Sequence, residues 1–390
     1  MGSFLDKPRT EKLNEQGEAH GVKYAVAAMQ GWRTDMEDAH TTQISMSNEM
    51  PFLNWSFFAV FDGHAGSNIA QQSAENLLQY ILATPQFKEV VETLKKNDGN
   101  ISDDVLHQLE AGIKTGFLNL DAKMREKIGP EHQEQSGTTA VCAMITPTHM
   151  ILVNLGDSRA VLSRRNAPTF GTEDHKPYNE QERRRIENAG GSVMIQRVNG
   201  NLAVSRALGD FEYKSESHLN PSQQMISPEP DVYVIVRNRE VDEFLLLVCD
   251  GVVDVMDNSE LCRFVTSRLK VTSDLQDVAN QVLDACLSKG SKDNMTVILL
   301  CFEVAPQIDP EAVKKEEEWK MKIVSRVVGN LILHFIRIFA ILEESGNNAV
   351  DAESIMHQLV GDVLQTCPPD VNFHSARTVV EDILASRNLP

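Results

Sequence analysis

The chain has 390 residues, enough for two or three domains or for one large domain with an appendage. Hydrophobic residues make up 42% and charged residues 24%, an ordinary globular composition. The net charge of −19, from 37 basic and 56 acidic side chains, argues against non-specific nucleic-acid binding and requires local positive charge for any anionic substrate.

In chain order, residues 1–20 are polar and end near Gly21, which reads as a tail. The opening Met-Gly-Ser-Phe-Leu-Asp-Lys-Pro has no apolar core, so no secretory signal is expected. The 6 cysteines lack metal-ligand spacing and fit reduced core thiols of a cytoplasmic or nuclear protein. From Val22 to about Glu303 strand-like runs alternate unevenly with helical patterns. Strands are expected at Tyr24–Met29, Trp55–Phe61, Thr138–Ile145, Met150–Leu155, Ala160–Arg164, Val232–Arg237, Glu243–Cys249 and Met295–Phe302. Helices are expected at Ser67–Leu82, Ser102–Lys127, Asn179–Ala189, Asn258–Lys270 and Leu275–Lys289. Asn258 or Ser259 offers an N-cap, and Gly190 a C-cap.

Consecutive strands joined by short turns should be antiparallel. Several are apolar on both faces, so both faces must be covered. A four-layer α-β-β-α sandwich of two antiparallel sheets meets both conditions. The charged, then glycine-rich stretch from Lys176 to Phe211 departs from this pattern and reads as a flap over the sheet rim, with a plain surface excursion as the alternative. After Glu303, Pro306 and Pro310 mark a linker, and residues 304–390 read as a helical extension. Within it Ile323–Leu342 is strongly apolar, yet Arg326 and Arg337 would cost ~2.5–3.5 kcal/mol each near the middle of a membrane span. A core helix of a small bundle is the better reading.

The chemistry sits at strand ends. Trp55–Phe61 delivers Asp62-Gly63-His64, Glu243–Cys249 delivers Asp250-Gly251, Met150–Leu155 is followed by Asp157, and Asp293 precedes Met295. Charged groups collected at one rim need something to neutralise, and hard divalent cations with oxygen ligands are the natural candidates. Asp-Gly is also a common turn signal, which is the bland alternative for each. A further cluster, Arg33-Thr-Asp-Met-Glu37-Asp38, adds a cation and adjacent carboxylates.

Taken with Gly156-Asp157-Ser158-Arg159, Lys292-Asp293-Asn294, Gly190–Gly200 and Leu202–Asp210, these motifs resemble the magnesium- or manganese-dependent protein phosphatases of the 2C class, over most of the chain. That resemblance implies hydrolysis of phosphoserine and phosphothreonine in proteins by direct attack of a water bridging two cations. It implies Asp62 as the bridging ligand, Glu37 and the Gly63 carbonyl on one ion, and Asp250 and Asp293 on the other. Asp38 is expected behind them, acting through water, and Asp157 and Asp254 at a weaker third ion. Arg33 would hold the phosphate and His64 would act as general acid. One departure is Val253, where the family usually has Trp before the following Asp. Competing readings are a partner-binding module without turnover, or a small-molecule phosphoesterase. The implied partners are phosphorylated proteins, for a monomer that meets membranes only weakly, through N-myristoylation of Gly2.

Overall fold

The computed structural model describes residues 4–128, 134–167 and 169–322. Ten longer strands carry it: β1 Phe4–Ala19, β2 Val22–Arg33, β3 Ala39–Gln43, β4 Ser56–Phe61, β5 Ala140–Ile145, β6 His149–Leu155, β7 Arg159–Arg164, β8 Asp231–Val236, β9 Asp242–Val248 and β10 Met295–Cys301. One antiparallel sheet has the order β1-β2-β10-β9-β7, extended by Phe170–Gly171; the other runs β8-β6-β5-β4-β3. The helices α1 Asn68–Leu82, α2 Pro85–Lys96 and α3 Asp103–Ile128 cover the second sheet, and α5 Asn258–Leu269 and α6 Leu275–Ser288 cover the first. The expected four-layer sandwich is the observed one.

The unbroken apolar strands follow from this layering, because successive side chains point to opposite faces. In β4, Phe58 and Val60 enter the core between the sheets, while Phe57, Ala59 and Phe61 pack beneath α1–α3. In β5, Val141, Ala143 and Ile145 take the first side, and Ala140, Cys142 and Met144 the second. Burying both faces of these strands supplies the largest favourable term, about 25 cal/mol per Å² of apolar surface removed from water.

Several sequence expectations need correction. Residues 4–19 are not a loose tail: β1 is an edge strand paired with β2 from Phe4↔Arg33 to Ala19↔Val22, with irregularities on either side of Arg9. Its Glu15 accepts a hydrogen bond from Tyr24 Oη at 3.0 Å and bonds Thr42 Oγ1, so β1 ties the two sheets together at their edge. The N-cap of α5 is Asp257, which accepts from Glu260 N–H at 2.8 Å, and neither Asn258 nor Ser259 serves. Helix α2 and strand β3 had no sequence signal that we recognised. The flap carries a helix, α4 Glu180–Asn188, and a small hairpin of Val193–Met194 with Arg197–Val198. Its own core of Ile186, Val198, Val204, Ala207 and Ile226 carries it past the expected end at Phe211.

Residues 310–322 are helical, and the apolar segment Ile323–Leu342 lies outside the described residues, as does Gly2. Among the described residues no helix is long and apolar enough to cross a membrane. Lys12 of β1 reaches Asp284 of α6 at 2.7 Å, and that carboxylate is only 5% exposed. Removing the cation from so buried a pair costs about 3 kcal/mol. We expect Lys12→Met to lower the urea-derived unfolding free energy by roughly that amount; a loss below about 0.5 kcal/mol would mean that β1 is held by its backbone ladder alone.

Candidate active site

The rim that collects the carboxylates lies across both sheets. Strand β4 of one sheet ends in Asp62, and β9 of the other ends in Cys249 and Asp250, the latter opening a helical turn, Asp250–Val253. The Asp250 N–H points to Asp62 Oδ2 at 3.4 Å, joining the two sheets at this point. The glycines that follow are required by close approach, not by turn conformation. A side chain at Gly63 would overlap the Glu37 carbonyl, and one at Gly251 would overlap the Asn294 carbonyl. Each Asp-Gly pair therefore marks where a neighbouring loop presses against the strand end.

Asn294 organises that neighbouring loop. Its Oδ1 accepts the Glu37 N–H at 2.9 Å, and its Nδ2 donates to Gln30 O at 2.9 Å and Asp35 O at 3.0 Å. This buried amide holds Glu37 and Asp38 against Asp293, a role that sequence reading missed although Lys292-Asp293-Asn294 was singled out. Asp38 Oδ2 accepts from Thr296 Oγ1 at 2.6 Å, whereas its Oδ1 is buried with no hydrogen-bond partner. One ligand atom each from Asp38, Asp62 and Cys249 lie within 4.8 Å of one another. Asp38, expected behind the ligands and acting through water, lies beside Asp62 with one oxygen that no protein group engages. Cys249 is a poor hard-cation ligand. Burial and the nearby Asp38 and Asp62 charges push its thiol well above the usual range, and its sulfur accepts the Thr296 N–H at 3.1 Å.

The electrostatics are those of an anionic cluster. Burial, followed by the charges of Asp250, Asp38, Asp157 and Asp293, pushes the Asp62 carboxyl well above its ordinary value. Burial, then Asp157, Asp293 and Asp254, does the same to Asp250, with Lys176 opposing. Asp38 is pushed up to about 7, chiefly by burial, against the Thr296 hydrogen bond and with Asp293 and Glu37 adding to it. Buried oxygens that repel one another, one of them without a partner, fit the donor set of divalent cations of the Mg²⁺ or Mn²⁺ type.

The remaining expected residues are placed as follows. Arg33 Nη2 pairs with Asp293 Oδ2 at 2.6 Å, with a third of each side chain exposed. Glu37 Oε1 accepts the Gly66 N–H at 2.5 Å. Asp157 is nearly buried and takes Lys176 Nζ at 2.5 Å. Asp254 is raised by burial, against the pull of Lys176 and with the push of Asp157, so these three groups share one corner. His64 Nε2 lies 2.8 Å from Asp210 Oδ2. Burial opposes the imidazolium, but the Asp210 charge and hydrogen bond outweigh it and raise the His64 pKa. Asp210 is buried, at a positive φ of 50°, and its N–H donates to Ser136 O at 3.1 Å. Sequence reading did not assign it, because 146 residues separate it from His64; its only signal was its place at the end of Leu202–Asp210.

A hard-cation carboxylate site with an arginine and a histidine at its edge, on an α-β-β-α sandwich, defines a metal-dependent hydrolase of phosphate esters. Comparison with known proteins narrows this. The family model "Protein phosphatase 2C" matches residues 22–295, and "Protein serine/threonine phosphatase 2C, C-terminal domain" matches 296–385. Protein phosphatase ppm-1.A of Caenorhabditis elegans is 47% identical over all of this chain and 82% of its own length. Protein phosphatase 1A of Homo sapiens is 46% identical over 98% of this chain and 94% of its own. Among solved structures, a phosphatase from Toxoplasma gondii aligns with a TM-score of 0.62 at 26% identity, covering 77% of this chain and 97% of that one. The chain belongs to the protein phosphatase 2C family and is a metal-dependent protein serine/threonine phosphatase.

The raised Asp38 carboxyl gives a pH prediction for the metal-free protein. An unfolded aspartate titrates near 4, so between about pH 4 and 7 the folded state holds the proton more tightly. Stability from this group is therefore full at low pH and is lost as pH rises through about 7. Thermal unfolding of chelator-treated protein is expected at lower temperature at pH 7.5 than at pH 5.5, with added Mn²⁺ reversing the order. A metal-free melting point that rises across this interval would contradict the electrostatic account of the site.

Proposed function

We propose that this chain hydrolyses phosphoserine and phosphothreonine in proteins, with Asp62, Asp250, Asp293, Glu37 and the Gly63 carbonyl holding two Mg²⁺ or Mn²⁺ ions and Asp38 acting behind them through water. The observation that carries the reading is the convergence of buried, mutually repelling carboxylates from both sheets at one rim. When bound, such ions supply Lewis-acid charge and lower the pKa of coordinated water toward neutrality. Asp157 and Asp254, on either side of Lys176, are the ligands proposed for a weaker third ion.

The remaining steps belong to the chain's own groups. Arg33 is anchored at one nitrogen by Asp293, which leaves the rest of its fork for phosphate oxygens. His64 carries the proton for the departing serine or threonine oxygen. Its Nε2 is engaged by Asp210, so that proton leaves from Nδ1, and Asp210 both orients the ring and stabilises its charged form. Recognition then rests on the phosphate and on what the flap touches. We further propose a phosphatase that acts in cytoplasm and nucleus as a monomer, with N-myristoylation of Gly2 giving weak membrane affinity.

The reading is tested with a phosphoserine peptide and p-nitrophenyl phosphate at saturating Mn²⁺. Asp250→Asn is expected to abolish metal-dependent turnover of both while leaving the circular-dichroism spectrum unchanged; near-native turnover would remove the carboxylate assignment.

His64→Gln and Asp210→Asn are expected to slow the peptide by about 10²-fold or more and the aryl phosphate far less, because nitrophenolate leaves without a proton. Equal losses on both substrates would reject the acid role of His64.

A further inference from the structure

Outside the carboxylate cluster, a second group of buried charges lies at the root of the flap. Glu182, in the first turn of α4, is 4% exposed. It accepts from Arg206 Nη2 at 2.8 Å, Arg185 Nη1 at 2.7 Å and Ser205 Oγ at 2.5 Å, so that both its oxygens are used. The same Arg206 donates through Nη1 to Asp231 Oδ1 at 2.8 Å, at the start of β8. The second oxygen of Asp231 lies 3.2 Å from His175 Nε2. Because His175 Nδ1 accepts the Gly156 N–H at 3.0 Å, the ring proton must sit on Nε2, which donates to Asp231. The His175 N–H in turn donates to Gly156 O at 2.8 Å. His175 therefore holds Gly156 at both its N–H and its C=O, on either side of a left-handed φ of +109°, and Asp157 follows directly. The next residue, Lys176, binds the Asp157 carboxylate itself.

Glu182 and His175 are buried and Arg206 is largely so, while Asp231, half-exposed, joins Arg206 to His175. The buried members hold one geometry, because losing a partner leaves a buried charge or donor without compensation. An ordinary anchoring cluster would end at the sheet. This one continues through His175 to the residue that precedes a proposed cation ligand.

We propose that the Glu182–Arg206–Asp231–His175 relay positions Asp157, so that the seating of the flap on the sheet sets the affinity of the cation corner formed by Asp157 and Asp254. Glu182, Arg206, Asp231 and His175 are positioning residues that touch neither ion nor substrate. The proposal rests on the reading of Asp157 as a cation ligand. Movement of the flap against a bound phosphoprotein would change cation occupancy at this corner, and cation binding would in turn hold the flap in place, by the reciprocity of linked equilibria.

The test is calorimetric titration of Mn²⁺ into chelator-treated, full-length protein, with thermal unfolding measured on the same samples. Asp157→Asn alone examines the underlying reading: it should remove the weakest class of Mn²⁺ sites, and unchanged binding would refute that reading. Glu182→Gln and, separately, Asp231→Asn should weaken that class about tenfold, as loss of an outer partner of a metal ligand does, while leaving the tighter sites unaltered. In the Asp157→Asn background neither change should alter Mn²⁺ binding further. The Asp231 side chain is 45% exposed, so its substitution leaves a folded protein to titrate even where Glu182→Gln proves unstable. Native Mn²⁺ binding by folded Asp231→Asn, or an equal further loss in the double variants, would overturn the relay. Altered tight sites would do the same.

Discussion

Asp62, Asp250, Asp293 and Asp38 reach one rim from two different sheets, and their mutual repulsion has to be borne by the packing behind them. Strands β4, β9 and β10 carry the first three on segments buried on both faces, so these strand ends cannot splay apart without opening a core. The repulsion is relieved locally by Lys176, which opposes it at Asp250 and pairs with Asp157, and by Arg33, which pairs with Asp293. The fold is in this sense a rigid frame for an electrostatically unfavourable arrangement, the usual condition of a site preorganised to take up charge.

Much of the frame is legible in the sequence because double-sided burial writes itself as unbroken apolar runs. The runs at Trp55–Phe61 and Glu243–Cys249 could be read as strands, and the abrupt carboxylate at the end of each as a site. What escaped has a physical reason in each case. Strand β1 lies at a sheet edge with mostly exposed or half-exposed residues, so Phe4–Ala19 shows neither apolar run nor clear alternation. Asp210 and Asn294 act through hydrogen bonds across long sequence distances, which no local pattern encodes. The cap of α5 was missed by one or two residues, since Asp257, Asn258 and Ser259 are all competent cap residues.

The flap shows the same division. Its charge-rich start reads as a helix, and Arg183 and Arg184 are exposed partners of Glu187 and Glu180. One position of that run, Glu182, is instead buried and bound on all sides. Periodicity could locate α4 but could not say which of its glutamates faces inward. That depends on Arg206 and Asp231, which the chain delivers only later.

The register of β1 carries a practical meaning. Phe4 pairs with Arg33, so the described chain begins beside the guanidinium proposed to receive phosphate, and the Lys292 ammonium lies 5.7 Å from the centre of the Phe4 ring. Strand β10 starts next to Asp293 at the rim and runs away from it toward Cys301, so the two directions in which the chain leaves the sandwich are opposed. A fluorophore, affinity handle or tether joined ahead of residue 4 would crowd the entrance used by incoming phosphoproteins, whereas one joined beyond residue 322 would start from a helix that follows the far end of β10.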